Sequence, residues 1–178
     1  MGSFKDSFQR FIINWMYRKQ SSTDIRIKNY SLINSVCVIT ELEINPEQDF
    51  LEKVKKAYRD SNKAVDIICY YPSKALPSSL VGSSFQVFSA NDLNWIGLLK
   101  RDMLESIDRK SYDLMIYYNP NHLPPLEQIA RQFDTRLLVG FKSESSLKPD
   151  VILHTKSPGL IHFIDTVNHY LKNINQAI

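Results

Sequence analysis

Apolar residues along this chain fall into short unbroken runs separated by amphipathic stretches. SVCVIT (Ser35–Thr40), VDIICYY (Val65–Tyr71) and YDLMIYY (Tyr112–Tyr118) are β-branched and aromatic almost throughout, as expected of strands covered on both faces. Shorter runs at FQVFS (Phe85–Ser89), RLLVGF (Arg136–Phe141) and VILH (Val151–His154) predict three more. Between them the spacing turns helical. Asn45-Pro46 begins a helix with Phe50, Leu51, Val54, Ala57 and Tyr58 on one face. Residues 100–109 place Met103, Leu104 and Ile107 inward. Pro124–Phe133 shows Leu126, Ile129, Ala130 and Phe133. A last helix, capped by Ser157 with Pro158 at its first position, carries a stripe of Leu160, Phe163, Ile164, Val167 and Leu171.

Strands alternating with helices of this length predict a three-layer α/β/α domain. Its sheet is mostly parallel, has five or six strands, and is of flavodoxin-like or Rossmann-like type. The expected organisation is an N-terminal amphipathic helix over residues 1–20, a connector over 21–34, and one α/β domain over 35–178.

The opening segment, SFKDSFQRFIINWMYRKQ, is the most distinctive part of the pattern. On a helical wheel Phe4, Phe8, Phe11, Ile12 and Trp15 fall within an arc of roughly 100°. Arg10 and Arg18 lie elsewhere on the wheel, and Lys19 lies beside the stripe, where a long stem can snorkel. Charge singles out the same region. Residues 1–30 hold six basic and two acidic side chains, a net +4, and the remainder holds 16 basic and 17 acidic, a net −1. The helix can complete a layer of its own domain, bind a protein groove or a second copy, or lie on an anionic membrane. As a contact surface it would use Phe4, Phe8, Arg10, Phe11, Trp15, Arg18 and Lys19. RNA or ribosome contact through its basic side chains is a further alternative, without DNA sequence readout.

In parallel sheets ligands sit beyond the carboxyl ends of the strands. The loop after the first strand, TELEINPEQ, has no glycine and carries Glu41, Glu43 and Glu47, which would repel phosphate. No GxGxxG or GxxxxGK[ST] occurs, so dinucleotide and P-loop binding are not expected, and no cofactor is predicted. Two other strand ends, YYPSKALP and YYNPNHLPP, place Tyr70, Tyr71, Asn119, Asn121 and His122 as a candidate small-molecule pocket. The plainer expectation is that these tyrosines pack their rings and wet their hydroxyls, while Asn-Pro starts a turn. HExxH, CxxC and GxSxG are absent from the sequence. His162 and His169, seven apart, do not have the spacing of a metal pair. Cys37 and Cys69 sit inside apolar runs and read as buried thiols of a reducing compartment. No signal peptide or membrane span is read, so the expected location is cytoplasmic, with contact at the inner membrane face open to the helix.

Through ANDLNWIG (Ala90–Gly97), YDLMI (Tyr112–Ile116) and RLLVGFKSE (Arg136–Glu144) the chain resembles a family of small uncharacterised Bacteroidota proteins, a domain of unknown function. Members of that family join a basic aromatic N-terminal helix to an α/β unit. They carry a DLNWxG-like element, a DLLIDL-like strand and a KVG-like strand. Here Tyr117 or Tyr118 stands in place of the second aspartate, and Leu138 in place of lysine. The resemblance implies a cytoplasmic bacterial protein and brings no catalytic residues with it. At Trp95, its most distinctive residue, the loop is expected to fold back on the sheet edge with Asp92 and Asn94 making turn hydrogen bonds, in preference to presenting a docking tryptophan.

The function expected from all this is a non-enzymatic adaptor that binds a protein partner or surface through the opening helix. The alternatives are a ligand-binding or enzymatic domain with its site at the strand ends, and an RNA-associated protein.

Overall fold

A computed structural model describes residues 30–42, 50–59, 62–80, 85–141, 147–154 and 159–174. The opening helix, the caps at Asn45 and Ser157 and most of the connector lie outside these residues.

Six strands form one sheet: β1 (Ser35–Glu41), β2 (Ala64–Tyr71), β3 (Gln86–Ser89), β4 (Leu114–Tyr118), β5 (Leu138–Phe141) and β6 (Val151–Leu153). Every pairing is parallel, and the spatial order is β3-β2-β1-β4-β5-β6. Of the two expected types this is the Rossmann order, with β1 and β4 flanking the point where the winding reverses. The helices are α1 (Phe50–Arg59), α2 (Arg101–Glu105), α3 (Pro124–Ala130) and α4 (Leu160–Ile174).

Strand alternation divides the core in two. Val36 and Val38 of β1, Ile67, Cys69 and Tyr71 of β2, and Leu114, Ile116 and Tyr118 of β4 pack with Val54 and Tyr58 of α1. The predicted α4 stripe, Leu160, Phe163, Ile164, Val167 and Leu171, completes that layer. The intervening residues, Cys37, Ile39, Ile68, Tyr70, Met115 and Tyr117, pack on Leu126, Ile129 and Ala130 of α3 and on Phe133 beyond it. Met103 and Leu104 of α2 join them. Each fully buried aliphatic side chain contributes roughly 1.5–3 kcal/mol, so both faces of β1 and β4 stabilise the domain. Cys37 and Cys69 are both buried free thiols. Burial drives both of their pKa values far up, as expected of inert core cysteines.

Two elements differ from the sequence reading. The run at Tyr112–Tyr118 is two pieces. Ser111–Tyr112 pairs with Asp134–Thr135 in a separate two-stranded ladder, and β4 begins only at Leu114. Asp113 makes the break. Its Oδ2 accepts from the Asn34 and Ser35 backbone N–H groups (2.9 and 3.1 Å) and from Ser35 Oγ (3.1 Å). Its Oδ1 lies 3.2 Å from Arg136 Nη1. The second difference is α2, which ends at Glu105. Ile107 is buried just after the helix, through the turn that follows it.

The entry to the sheet is also fixed. Tyr30–Leu32 is a 3-10 turn ahead of β1. Tyr30 OH donates to Asn168 Oδ1 of α4 (3.1 Å). Lys63 Nζ donates to the carbonyls of Tyr30 (3.1 Å) and Ile33, and stands 4.3 Å from the centre of the Tyr30 ring. Lys172 approaches the same ring.

Two tests follow from these contacts. Gly140 is a β5 residue whose hypothetical Cβ would lie 2.5 Å from Pro149 Cγ. Gly140→Ala should therefore lower stability by about 1–3 kcal/mol through overpacking, measured by urea unfolding. For Asp113, burial raises the carboxyl pKa, but hydrogen bonds from Asn34 and Ser35 and the Arg136 charge outweigh it and hold the pKa below the ordinary value. The stability it adds is present above the unfolded-state pKa of about 3.9. It is lost as pH falls through the lower folded value. Asp113→Asn should be less stable at pH 7 and show a flatter pH dependence below about pH 4 in thermal melts at a series of pH values.

Candidate functional site

The chain after β1 leads to α1 on one face of the sheet, and the chain after β4 leads to α3 on the other. The carboxyl ends of these neighbouring strands therefore border the switch point, where Rossmann-order sheets hold ligands. Register brings Thr40 opposite Tyr118, Glu41 opposite Tyr70 and Tyr70 opposite Phe88.

Adjacent tyrosines point to opposite faces. Tyr70 and Tyr117 are buried on the α3 side, and Tyr71 and Tyr118 on the α4 side. Tyr118 packs its ring between Phe141 and Phe163, with centroids 5.2 and 5.3 Å away, and its hydroxyl accepts from the Gly159 N–H at 2.9 Å. Of the five candidate pocket residues, Tyr70, Asn119 and Asn121 come to one side of the sheet with the His122 loop. Tyr71 belongs to the other layer.

The Asn119–Leu123 loop is built around one side chain. Asn119 Oδ1 accepts from the Leu123 N–H (2.9 Å), and Asn119 Nδ2 donates to the Leu123 carbonyl (3.1 Å) and to Tyr117 OH (2.7 Å). His122 takes a positive φ of 54°, a left-handed conformation in which histidine is enriched among non-glycine residues. Its N–H donates to the Asn119 carbonyl (3.2 Å). Pro124 and Pro125 then start α3, where missing N–H groups carry no penalty. Across the switch point Asn121 Nδ2 donates to Glu41 Oε2 at 2.7 Å.

Two acidic residues that sequence reasoning did not place in the pocket stand beside Tyr70. Glu41 ends β1. Asp92 closes the 3-10 turn Ala90–Asp92 after β3, where its Oδ2 accepts from Ser89 N (2.6 Å) and Ser89 Oγ (3.0 Å). Burial, then Glu41, then Asp92 push the Tyr70 phenol pKa upward. The available signal was parity: Glu41 lies two residues beyond Ile39, on the face that Tyr70 shares.

The loop beyond Asp92 makes the expected turn bonds. Asn94 Oδ1 accepts from the Ile96 and Leu98 N–H groups, each at 3.1 Å, and Gly97 adopts φ 82°. Leu93 and Leu99 form an antiparallel bridge. The indole does not fold back: Trp95 is 89% exposed. Leu98 and Leu99 fill the core in its place, so the loop is anchored through its leucines and the tryptophan is left outside.

A model of the Family of unknown function (DUF6913) matches residues 5–174. The chain belongs to that family. Curated proteins and solved structures give no match. The DUF6913 match takes in both sheets and all four helices among the described residues, and it also covers the opening segment from Lys5. Among the described residues no group of three or more His, Cys, Asp or Glu is placed to hold a metal. No helix there is long and apolar enough to cross a membrane. On the outer side of α3, Glu127 and Arg131 form an ion pair at 3.0 Å with side chains only 5% and 6% exposed. Gln128 Oε1 accepts from the Leu99 N–H at 2.8 Å. This burial of polar residues was not legible in the amphipathic pattern of α3.

Asn119 holds the loop through three hydrogen bonds, and removing it leaves buried partners unsatisfied. Asn119→Ala should cost about 1–3 kcal/mol in chemical unfolding.

Proposed function

We propose that this DUF6913 protein works by binding, as a non-enzymatic adaptor whose contact surface is the basic, aromatic opening segment. The observation that carries this reading is the joint concentration of charge and aromatic surface. The excess positive charge of the chain lies in residues 1–30, and Phe4, Phe8, Phe11 and Trp15 lie in the first half of that stretch. Four such rings carry about 150–250 Å² each, a large area to leave in water. The family match begins at residue 5 and so takes in most of the segment. Tyr30, the first described residue, is held by Lys63 and Asn168 at the amino-terminal edge of the sheet. Phe4, Phe8, Phe11 and Trp15 would supply apolar contact, and Arg10, Arg18 and Lys19 would favour an acidic partner.

Deletion of residues 1–20 tests this, because the Tyr30 anchor lies beyond the cut. The truncated chain should stay monodisperse, melt within a few degrees of the full chain, and lose the partner that the full chain co-purifies from its host. Capture by the full chain should survive raised salt, as an apolar contact does. A steep fall with salt would point to RNA instead. Aggregation, or a large drop in melting temperature, would assign the segment to the core and refute the proposal.

A further inference from the structure

The outer side of α3 is buried where a three-layer fold ordinarily leaves it wet. Leu126, Ile129 and Ala130 turn to the sheet, where α3 meets β1 and β2. Glu127, Gln128 and Arg131 occupy the opposite arc of the helix, with Gln132 just past its end. Such residues on an outer layer normally face solvent. Here Glu127, Gln128 and Gln132 are all buried, and the Arg131 side chain is as enclosed as that of Glu127, its ion-pair partner.

The cover belongs to this chain. The burial is that of a single copy with no neighbour, so neither a partner nor a second copy supplies it. The loop before α2 covers one flank, where the Leu99 N–H donates to Gln128. Glu127, Arg131 and Gln132 each take part in a further interaction besides their contacts with one another and with Gln128. A buried ion pair is stable only where its remaining donors and acceptors are met, so the cover has to bring polar groups as well as bulk.

Outside the described residues, 43–49 and 60–61 flank α1, 155–158 and 175–178 flank α4, and 81–84 run between Leu80 and Phe85. All of these continue from residues of the other layer. Residues 142–146 lead to Leu147 in the α3 layer. They are taken up in returning from the carboxyl end of β5 to Asp150, whose carboxylate accepts from Leu138 N–H at the amino end. That leaves residues 1–29, the longest stretch, with Asp6, Gln9 and Arg10 interspersed among its rings. Residues 21–29 can span up to about 30 Å, the diameter of a small domain, so residues 3–20 can reach this side of the sheet. The α3 layer also has room. Its helices have 5 and 7 residues, against 10 and 15 in the other layer.

We infer that residues 3–20 dock along the Glu127–Arg131 side of α3 in the free chain. The arc they cover is charged and polar, so water can replace them there and release costs the body little. A partner must then displace α3 to take the segment. That consequence rests on the adaptor reading, whereas the docking itself does not.

The test uses the full-length 15N-labelled chain with a nitroxide spin label at Gln9→Cys, a position off the apolar stripe. Cys37 and Cys69 are buried, so labelling is confined to that site. Amide broadening should be strongest at Glu127, Arg131 and Gln132, at least threefold above that on α1 and α4. Should Gln9→Cys not fold, Asn14→Cys carries the label with the same expectation. Glu127→Gln combined with Arg131→Gln should at least halve the broadening. The inference is overturned if broadening is absent, uniform or strongest on another element, or if the double variant leaves it unchanged. The label reads position and not partner capture. Its failure leaves the adaptor reading standing, and a failure of capture leaves the docking result standing.

Discussion

The Asp113 carboxylate holds the start of β1 against the start of β4. By accepting from Asn34 N, Ser35 N and Ser35 Oγ, it sets Val36 opposite Leu114, and the ladder then runs in step to Thr40 opposite Tyr118. Side chains alternate with a period of two, so a slip of one residue would exchange the two cores wholesale. It would also part Glu41 from Asn121, whose contact spans the switch point. A carboxylate at the amino edge thus decides which residues meet at the carboxyl edge, a full strand length away. The same group pairs with Arg136 just ahead of β5 and so links three strand starts.

The carboxyl edge has an electrostatic character that the strand order alone does not imply. Rossmann-order sheets suit anions when a glycine-rich turn offers N–H groups. Here the turn following β1 begins from Glu41, and the turn after β3 is capped by Asp92. Both place negative charge beside a phenol whose ionisation they oppose.

Much of this was legible in the sequence, for reasons tied to particular residues. Continuous β-branched runs identified β1 and β2, and the Leu160–Leu171 stripe identified α4, because burial on two faces or on one leaves different periods. Asp113 was not legible as a break, since one charged residue inside an apolar run reads as a tolerated exception until its partners are known. The Tyr-Tyr pairs were expected to pack their rings, with a shared cleft as the candidate alternative, and parity sends Tyr70 and Tyr71 to opposite layers. The loop carrying Trp95 was expected to fold back on the sheet edge in preference to presenting the tryptophan. Its turn formed as the Asn94 and Gly97 chemistry required, but Leu98 and Leu99 took the buried places. Competition between neighbouring apolar residues for one pocket is a packing outcome that local spacing does not encode. The buried polar side of α3 is missed for a similar reason, since Glu127 and Arg131 satisfy each other and so escape the usual exclusion of charge from the interior.

The clamp on Tyr30 has a mechanical consequence. Tension applied at Tyr30 is shared with the residue before β2, through Lys63, and with α4, through Asn168. The strand that follows, β1, is flanked by β2 and β4 on both sides. Tension along it would have to shear two ladders at once, with many hydrogen bonds loaded in parallel, and could not unzip them singly from an edge. The domain is thus built to resist force applied along β1.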